Sequence, residues 1–206
     1  MQIDVRTNFG PAKRRLSTLR EDIRQRAVAR ALNRVAEQGR TRMAREIASE
    51  FNIAVGEVRP ELDIRRARPG AGSAYLVVEV NALRSKRNRG RGLNLIRFLE
   101  RRVSLAEARR RAKTGTLNQL VFKIKRTGGP KRIPGAFIAT NPRTGGTAVF
   151  KREGRPRLPI KPVTTIDVRQ MFNTKRINER VVKHMLDQFP RVLEREVEYY
   201  VRRFNA

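Results

Sequence analysis

Two long stretches with helical spacing of apolar residues lie near the two ends of the chain. From about residue 12 to 49, apolar side chains recur every three or four positions, which predicts an amphipathic helix packed on a sheet. The apolar stripe is Leu16, Leu19, Ile23, Ala27, Ala31, Val35, Met43 and Ile47, and the opposite face carries Arg20, Arg24, Arg30, Arg34 and Arg45. Gly39 predicts a bend or break. The arginine face is a candidate contact for DNA or a partner subunit.

The second helical stretch covers residues 174–204. Pro190 lies inside it and predicts a kink or a split into two helices, because proline removes a backbone donor. The apolar stripe, which we expect to face the core, is Ile177, Val181, Met185, Phe189, Leu193, Val197, Tyr200 and Phe204. Two carboxylate pairs at a spacing of four, Glu46 with Glu50 and Glu194 with Glu198, are typical of a solvent-exposed helix face rather than an acid/base pair.

Between the helices, short apolar-periodic runs separated by Gly, Pro and Asn predict strands. These are residues 61–68, 74–81, 117–125, 133–140, 147–152 and 158–168. The pair 133–140 and 147–152 predicts a hairpin. Pro159 and Pro162 cannot donate to a ladder, so 158–168 is predicted to be an edge strand or a strap. Residues 93–99 fit either a strand or an anchor under a loop.

The predicted fold class is therefore α+β. A mostly antiparallel sheet of residues 61–82 and 117–168 is expected, flanked by the two long helices. We expect a single domain of residues 1–206, with residues 84–113 as a protruding basic loop insertion.

The composition is strongly basic. Lys and Arg number 48 against 19 Asp and Glu, and the formal net charge is +29. Such an excess predicts an acidic partner, with nucleic acid first and an acidic protein or an anionic membrane after it. There are no cysteines, which excludes disulfides and thiolate metal sites. No apolar run approaches the length of a membrane span, and the N-terminus lacks a signal-peptide layout, so we expect a cytoplasmic origin.

Residues 84–113 form the densest basic block. The candidate contacts for DNA or a partner are Arg84, Lys86, Arg87, Arg89, Arg91, Arg101, Arg102, Arg109, Arg110, Arg111 and Lys113. Arginine suits bidentate contact with phosphates or carboxylates. Binding of this kind would be independent of base sequence and sensitive to salt. The alternative is a solvated loop.

Catalytic chemistry has little support in the sequence. His184 is the one histidine and has no cysteine to join it in a metal site. No phosphate-binding loop is present, and Gly90 and Gly92 make only a bare G-x-G in an arginine-rich loop. The sequence therefore predicts neither an enzyme, nor a cofactor, nor a metal site.

Residues 131–138 read Lys-Arg-Ile-Pro-Gly-Ala-Phe-Ile, and they are followed by Val149-Phe150-Lys151-Arg152 and Leu158-Pro159-Ile160. These segments, which we call the cassette segments, resemble the minor tail protein Z family of tailed bacteriophages. The resemblance implies a structural virion protein of the tail top or neck, which completes the tail and helps to join it to the DNA-filled head. It also implies a homo-oligomeric, hexameric ring that meets neighbouring tail and head-connector proteins. Packaged double-stranded DNA is a further candidate partner.

In such a ring the cassette residues would contact neighbouring subunits. They are Ile133, Pro134, Phe137, Leu158, Pro159 and Ile160. The expected location is the virion, with the host cytoplasm during assembly and no membrane contact. The alternative function is a general nucleic-acid-binding protein, such as a ribosomal or nucleoid component, which would explain the charge equally well. Such a protein often carries unstructured basic extensions, whereas most basic residues here lie within or between predicted elements.

Overall fold

The computed structural model describes residues 20–68, 79–82, 92–99, 120–140, 146–154, 156 and 159–204. Contacts divide the chain into two compact units. The described part of the first unit comprises residues 20–46, 59–68, 79–82 and 172–204, and that of the second comprises 47–58, 92–99, 120–140, 146–154, 156 and 159–171. The α+β class is confirmed, with two long helices and small antiparallel sheets.

The helices are α1 (Glu21–Glu50), α2 (Val55–Val58), α3 (Val168–Phe172) and α4 (Lys175–Phe204), and two 3-10 turns cover Arg59–Glu61 and Leu95–Phe98. The strands are β1 (Leu62–Arg65), β2 (Glu79–Ala82), β3 (Val121–Phe122), β4 (Lys131–Arg132), β5 (Ala136–Thr140), β6 (Thr147–Arg152) and β7 (Ile160–Pro162). Among the described residues these strands make three small sheets, β1–β2, β3–β4 and β5–β6–β7, where the sequence predicted one central sheet. Antiparallel pairing holds in each sheet.

The first unit is built on α1 and α4. The early part of α1 contacts the late part of α4 and the reverse, so the two helices run antiparallel. The predicted apolar stripe of α1 is buried from Ile23 to Ile47, and that of α4 is buried from Ile177 to Val197. Phe204 at the end of α4 is 49% exposed. The long helices therefore bury their apolar faces as predicted.

Two expected helix breaks do not occur. α1 runs through Gly39 without interruption, and α4 runs through Pro190 as one helix. A Cβ on Gly39 would lie 2.5 Å from the sulfur of Met185, so this glycine lets the two helices approach closely. Pro190 is exposed at the surface of α4. The prediction of a split at this proline is wrong.

The second unit contains the predicted hairpin. β5 and β6 pair from Ala136 opposite Lys151 to Thr140 opposite Thr147, and β7 pairs along the other side of β6. Before β5, Gly135 has a φ of 73°, a left-handed conformation that glycine adopts without strain. Because of this turn, the strand predicted over residues 133–140 begins at Ala136, and Lys131–Arg132 is a separate strand that pairs with β3.

Of the two alternatives for residues 93–99, the structure shows the anchor and not the strand, because the segment forms the 3-10 turn Leu95–Phe98 and buries its apolar side chains. The Asn94 side chain caps the 3-10 turn by accepting from the amide of Ile96, and it exchanges two further bonds with the backbone of Val149, at 2.9 and 3.1 Å. Backbone bonds then link Leu95 to Val163 and Phe98 to Lys123. Leu93, Leu95 and Phe98 are buried, so this segment anchors the second unit.

Candidate functional site

Of the predicted basic block, residues 84–113, the structure describes residues 92–99. The eleven candidate contacts between Arg84 and Lys113 all lie outside the residues that the structure describes, and so does Leu158. Their proposed role in binding DNA or a partner stays a prediction.

The remaining predicted subunit contacts belong to the second unit. Phe137 lies directly opposite Phe150, with ring centroids 6.3 Å apart, and Ile160 lies opposite Arg152. Directly opposed residues of antiparallel strands point to the same side, and residues two apart on β6 do so as well, so these four side chains share one face of the sheet. The Arg152 guanidinium lies 5.3 Å from the centre of the Phe137 ring.

This face remains partly open to solvent. Phe137, Phe150 and Ile160 are each half-buried, Pro159 is exposed, and Pro134 is exposed in the turn before β5. Ile133, which accepts a backbone bond from Ala136, is half-buried in the same turn. The structure thus brings Phe137 and Ile160 onto one half-exposed apolar face, which we call the cassette face, with Pro134 and Ile133 in the adjoining turn.

The first unit contains two buried carboxylates that each hold two arginines. Glu196 on α4 is 2% exposed and accepts from Arg30 at 2.9 Å and Arg34 at 2.7 Å, both on α1. Glu46 on α1, which the spacing of four assigned to a solvent face, is instead buried and accepts from Arg42 at 2.6 Å and Arg180 at 3.0 Å. That assignment was wrong because α4 covers this turn of α1 and provides Arg180.

These carboxylates tie the two helices together at separate points along α1. The only signal for them in the sequence is the spacing of four between Arg42 and Glu46, which favours an ion pair on one helix. Nothing in the sequence pairs Glu196 with α1, because that contact depends on the antiparallel packing of two segments more than 160 residues apart.

Beside Glu196 lies an open cavity of about 530 Å³, which we call the arginine groove. Four arginines line it, together with Asn33, Glu37 and Tyr200. These arginines are Arg26, Arg30, Arg34 and Arg66. The Asn33 side chain fixes one wall by exchanging two hydrogen bonds with the backbone of Ala67, at 2.9 and 3.0 Å. Glu37 accepts from Arg40 at 2.6 Å and from Arg66 at 3.2 Å.

The cationic surface continues along α1 beyond the arginine groove. A second groove of about 360 Å³ shares Glu37 and Gln38 with the first and is also lined by Arg42, Arg45, Arg59 and His184. From Arg26 to Arg45 the stripe covers 20 residues of α1, or about 28 Å for the 19 steps of 1.5 Å between them. Of the predicted arginine face, Arg30, Arg34 and Arg45 line these two grooves, and its role as a contact for DNA or a partner stays a prediction.

Aromatic side chains lie at the end of α4. Tyr200 stacks on Phe204 with centroids 6.0 Å apart, and Arg30 lies 4.8 Å from the centre of the Tyr199 ring. The hydrogen bond that Arg203 donates to the Tyr199 hydroxyl, at 2.8 Å, is the main cause that lowers the pKa of Tyr199. A hydrogen bond to Tyr200 and the nearby Glu196 carboxylate raise the pKa of Arg30.

The part of the chain that the structure describes holds neither a metal-binding cluster nor a membrane-spanning helix. No cluster of three or more His, Asp or Glu side chains in this part of the chain could hold a metal ion. Among the same residues, no helix has the length and apolar character needed to cross a membrane.

Comparison with known proteins points to one family. No curated protein matches the chain. No solved structure matches it. The family profile of prophage minor tail protein Z (GPZ) matches residues 10–206, which is nearly the whole chain. The resemblance carried by the cassette segments is thereby confirmed, and the chain belongs to the prophage minor tail protein Z family of phage tail proteins.

Proposed function

We propose that this protein completes the top of a phage tail and helps to join the tail to the DNA-filled head, as a subunit of a closed ring. The single observation that carries the proposal is the family match over residues 10–206. The net charge of +29 supports a position beside acidic neighbours, which can be packaged DNA or the surface of an adjoining ring.

The cassette face supports the ring. Phe137, Phe150 and Ile160 form a half-exposed apolar surface on a sheet whose outer strands, β5 and β7, are edges among the described residues. Edge strands and exposed apolar faces are the features by which neighbouring subunits pair. In this proposal the cassette face of one subunit packs on its neighbour, and a ring of about six closes.

Mass photometry of the purified protein tests the ring. The wild type is expected to form one closed species of defined mass, whereas Phe137→Glu with Ile160→Glu is expected to remain monomeric with an unchanged circular dichroism spectrum. Val55→Glu is the matched control, because Val55 is an exposed apolar residue of the same unit that lies outside the cassette face. A cassette variant that assembles like the wild type would remove this face from the proposal.

The basic block is tested separately. Charge reversal of Arg109, Arg110 and Arg111 is expected to block the joining of heads to tails in an in vitro complementation assay while the purified protein stays folded. Normal numbers of infectious particles from this variant would mean that the block is not a functional surface. A wild-type monomer that coats DNA or RNA without forming a ring would favour the general nucleic-acid-binding function instead.

A further inference from the structure

The arginine groove has a charge excess that the described part of the protein does not neutralise. Its four arginines face two carboxylates, Glu37 in the wall and Glu196 behind Arg30 and Arg34, which leaves two positive charges. Arg26 has no ion-pair partner among the described residues, and the Arg66 side chain is 68% exposed although it contacts Glu37. Both guanidinium groups are therefore available to a ligand.

We infer that the arginine groove is a docking site for an acidic segment of a neighbouring protein, with carboxylates at helical spacing. The carboxylate chemistry is visible directly behind the groove, because each oxygen of Glu196 accepts from a different arginine of α1. An arginine guanidinium offers a planar fork of donors that matches a carboxylate. An incoming carboxylate would meet Arg26 and Arg66 in the same way.

The spacing of the arginines favours a helical ligand. Arg26, Arg30 and Arg34 repeat every four residues of α1, so their Cα atoms follow one another at intervals of about 6 Å along the helix axis. Carboxylates four residues apart on a ligand helix repeat at the same distance. Binding of an amphipathic helix in a groove is a common recognition mode, and here the ligand would present acidic side chains to the groove.

The aromatic end of α4 adds an apolar subsite. Tyr200 lines the groove and stacks on Phe204, which is 49% exposed, and Tyr199 beside them is 40% exposed. Tyrosine and arginine are the side chains most enriched among residues that dominate binding energy at protein interfaces. The ligand is therefore expected to carry an apolar side chain next to its acidic residues.

Two alternative occupants are less well matched. Duplex DNA presents its phosphates on a convex rod, whereas this site is concave and has Glu37 in its wall. The protein's own neighbouring segments offer almost no carboxylates, since residues 1–19 contain one acidic residue, Asp4, and residues 69–78 contain none. This inference concerns the first unit and does not depend on the ring formed through the cassette face.

Fluorescence anisotropy with a labelled helical peptide, carrying glutamate every fourth residue and one leucine stripe, tests the inference at about physiological salt. Reversal of both exposed guanidinium groups, Arg26→Glu with Arg66→Glu, is expected to weaken binding at least tenfold, because each charge-assisted contact is worth about tenfold. Glu196→Gln removes the internal competitor for Arg30 and Arg34 and is expected to tighten binding.

The matched control is Arg191→Glu with Arg195→Glu. Both residues are exposed arginines on α4, four residues apart, and neither lines the groove, so this variant changes the net charge equally. It is expected to bind the peptide within about twofold of the wild type. If both double variants lose the same affinity for the peptide, binding depends on the overall charge of the protein, and the inference is overturned.

Two further results would also overturn it. One is the absence of peptide binding to the wild type. The other is tighter binding of a 12-base-pair DNA duplex than of the peptide, where only Arg26→Glu with Arg66→Glu weakens the binding of the duplex. That result would assign the groove to nucleic acid. Thermal melting of each variant separates loss of binding from loss of fold.

Discussion

Removing the charge of Glu196 is the sharpest test of how the two long helices are held together. Glu196→Gln keeps the size of the side chain and one acceptor oxygen, but its amide group would meet the donors of Arg30 or Arg34. The carboxylate is 2% exposed, while the two arginine side chains are 42% and 54% exposed. The arginines can therefore turn to water, and only the glutamate position remains buried.

The expected loss in the free energy of unfolding follows from the exposure of these three side chains. Leaving a buried charge unpaired costs about 3–5 kcal/mol, but that case does not apply because the substitution removes the buried charge itself. Two charge-assisted hydrogen bonds are lost or weakened, and hydration of the freed arginines and relief of the buried carboxylate offset part of the loss. The free energy of unfolding is expected to fall by about 1–2 kcal/mol, which lowers Tm by roughly 2–8 °C in a chain of this size.

Urea unfolding followed by circular dichroism measures this change. Glu194→Gln is the matched control, because Glu194 is exposed on the same helix two residues away and is expected to leave the midpoint unchanged. Glu196→Asp, which keeps the charge but shortens the reach, is expected to lie between the wild type and Glu196→Gln. If Glu196→Gln unfolds at the same urea concentration as the wild type, the reasoning is refuted. The free-energy cost of burying the carboxylate then equals the stabilisation that its two ion pairs provide.

Three further predictions concern Asn94, Gly39 and Tyr199. Asn94→Ala removes three part-buried hydrogen bonds, two of which the Asn94 oxygen accepts from the backbone amides of Ile96 and Val149. A loss of about 2–3 kcal/mol in urea unfolding is expected. A loss below about 0.5 kcal/mol would mean that water replaces the side chain. Gly39→Ala forces the Met185 side chain to move. The substitution is expected to lower the free energy of unfolding by about 1 kcal/mol, although alanine has the better helix propensity. A higher free energy of unfolding would show that Met185 can change its conformation at little cost. Tyr199 is expected to ionise below the usual pKa of tyrosine in an absorbance titration of tyrosinate, with Tyr199→Phe as the reference that lacks this group. Arg203→Gln is expected to raise the midpoint of that titration because it removes the main hydrogen bond to the Tyr199 hydroxyl. An unchanged midpoint would assign the shift to Arg30.

Short-range features of this protein could be predicted from its sequence. The apolar spacing of α1 and α4, the hairpin of β5 with β6 and the edge position of β7 all arise from contacts between residues close along the chain. The cassette segments also predicted the family correctly, as the profile match over residues 10–206 shows. Charge and composition predicted an acidic partner without saying where on the surface it binds.

Tertiary structure decided the features that depend on distant segments. Gly39 does not break α1, because a packed helix gains more from close approach to Met185 than one glycine costs in propensity. Glu46 is buried and not exposed, because α4 brings Arg180 to it from a position 134 residues away. The arginine groove likewise exists only where α1, α4 and the chain after β1 meet, so local periodicity identified its arginines but could not assemble them into a site.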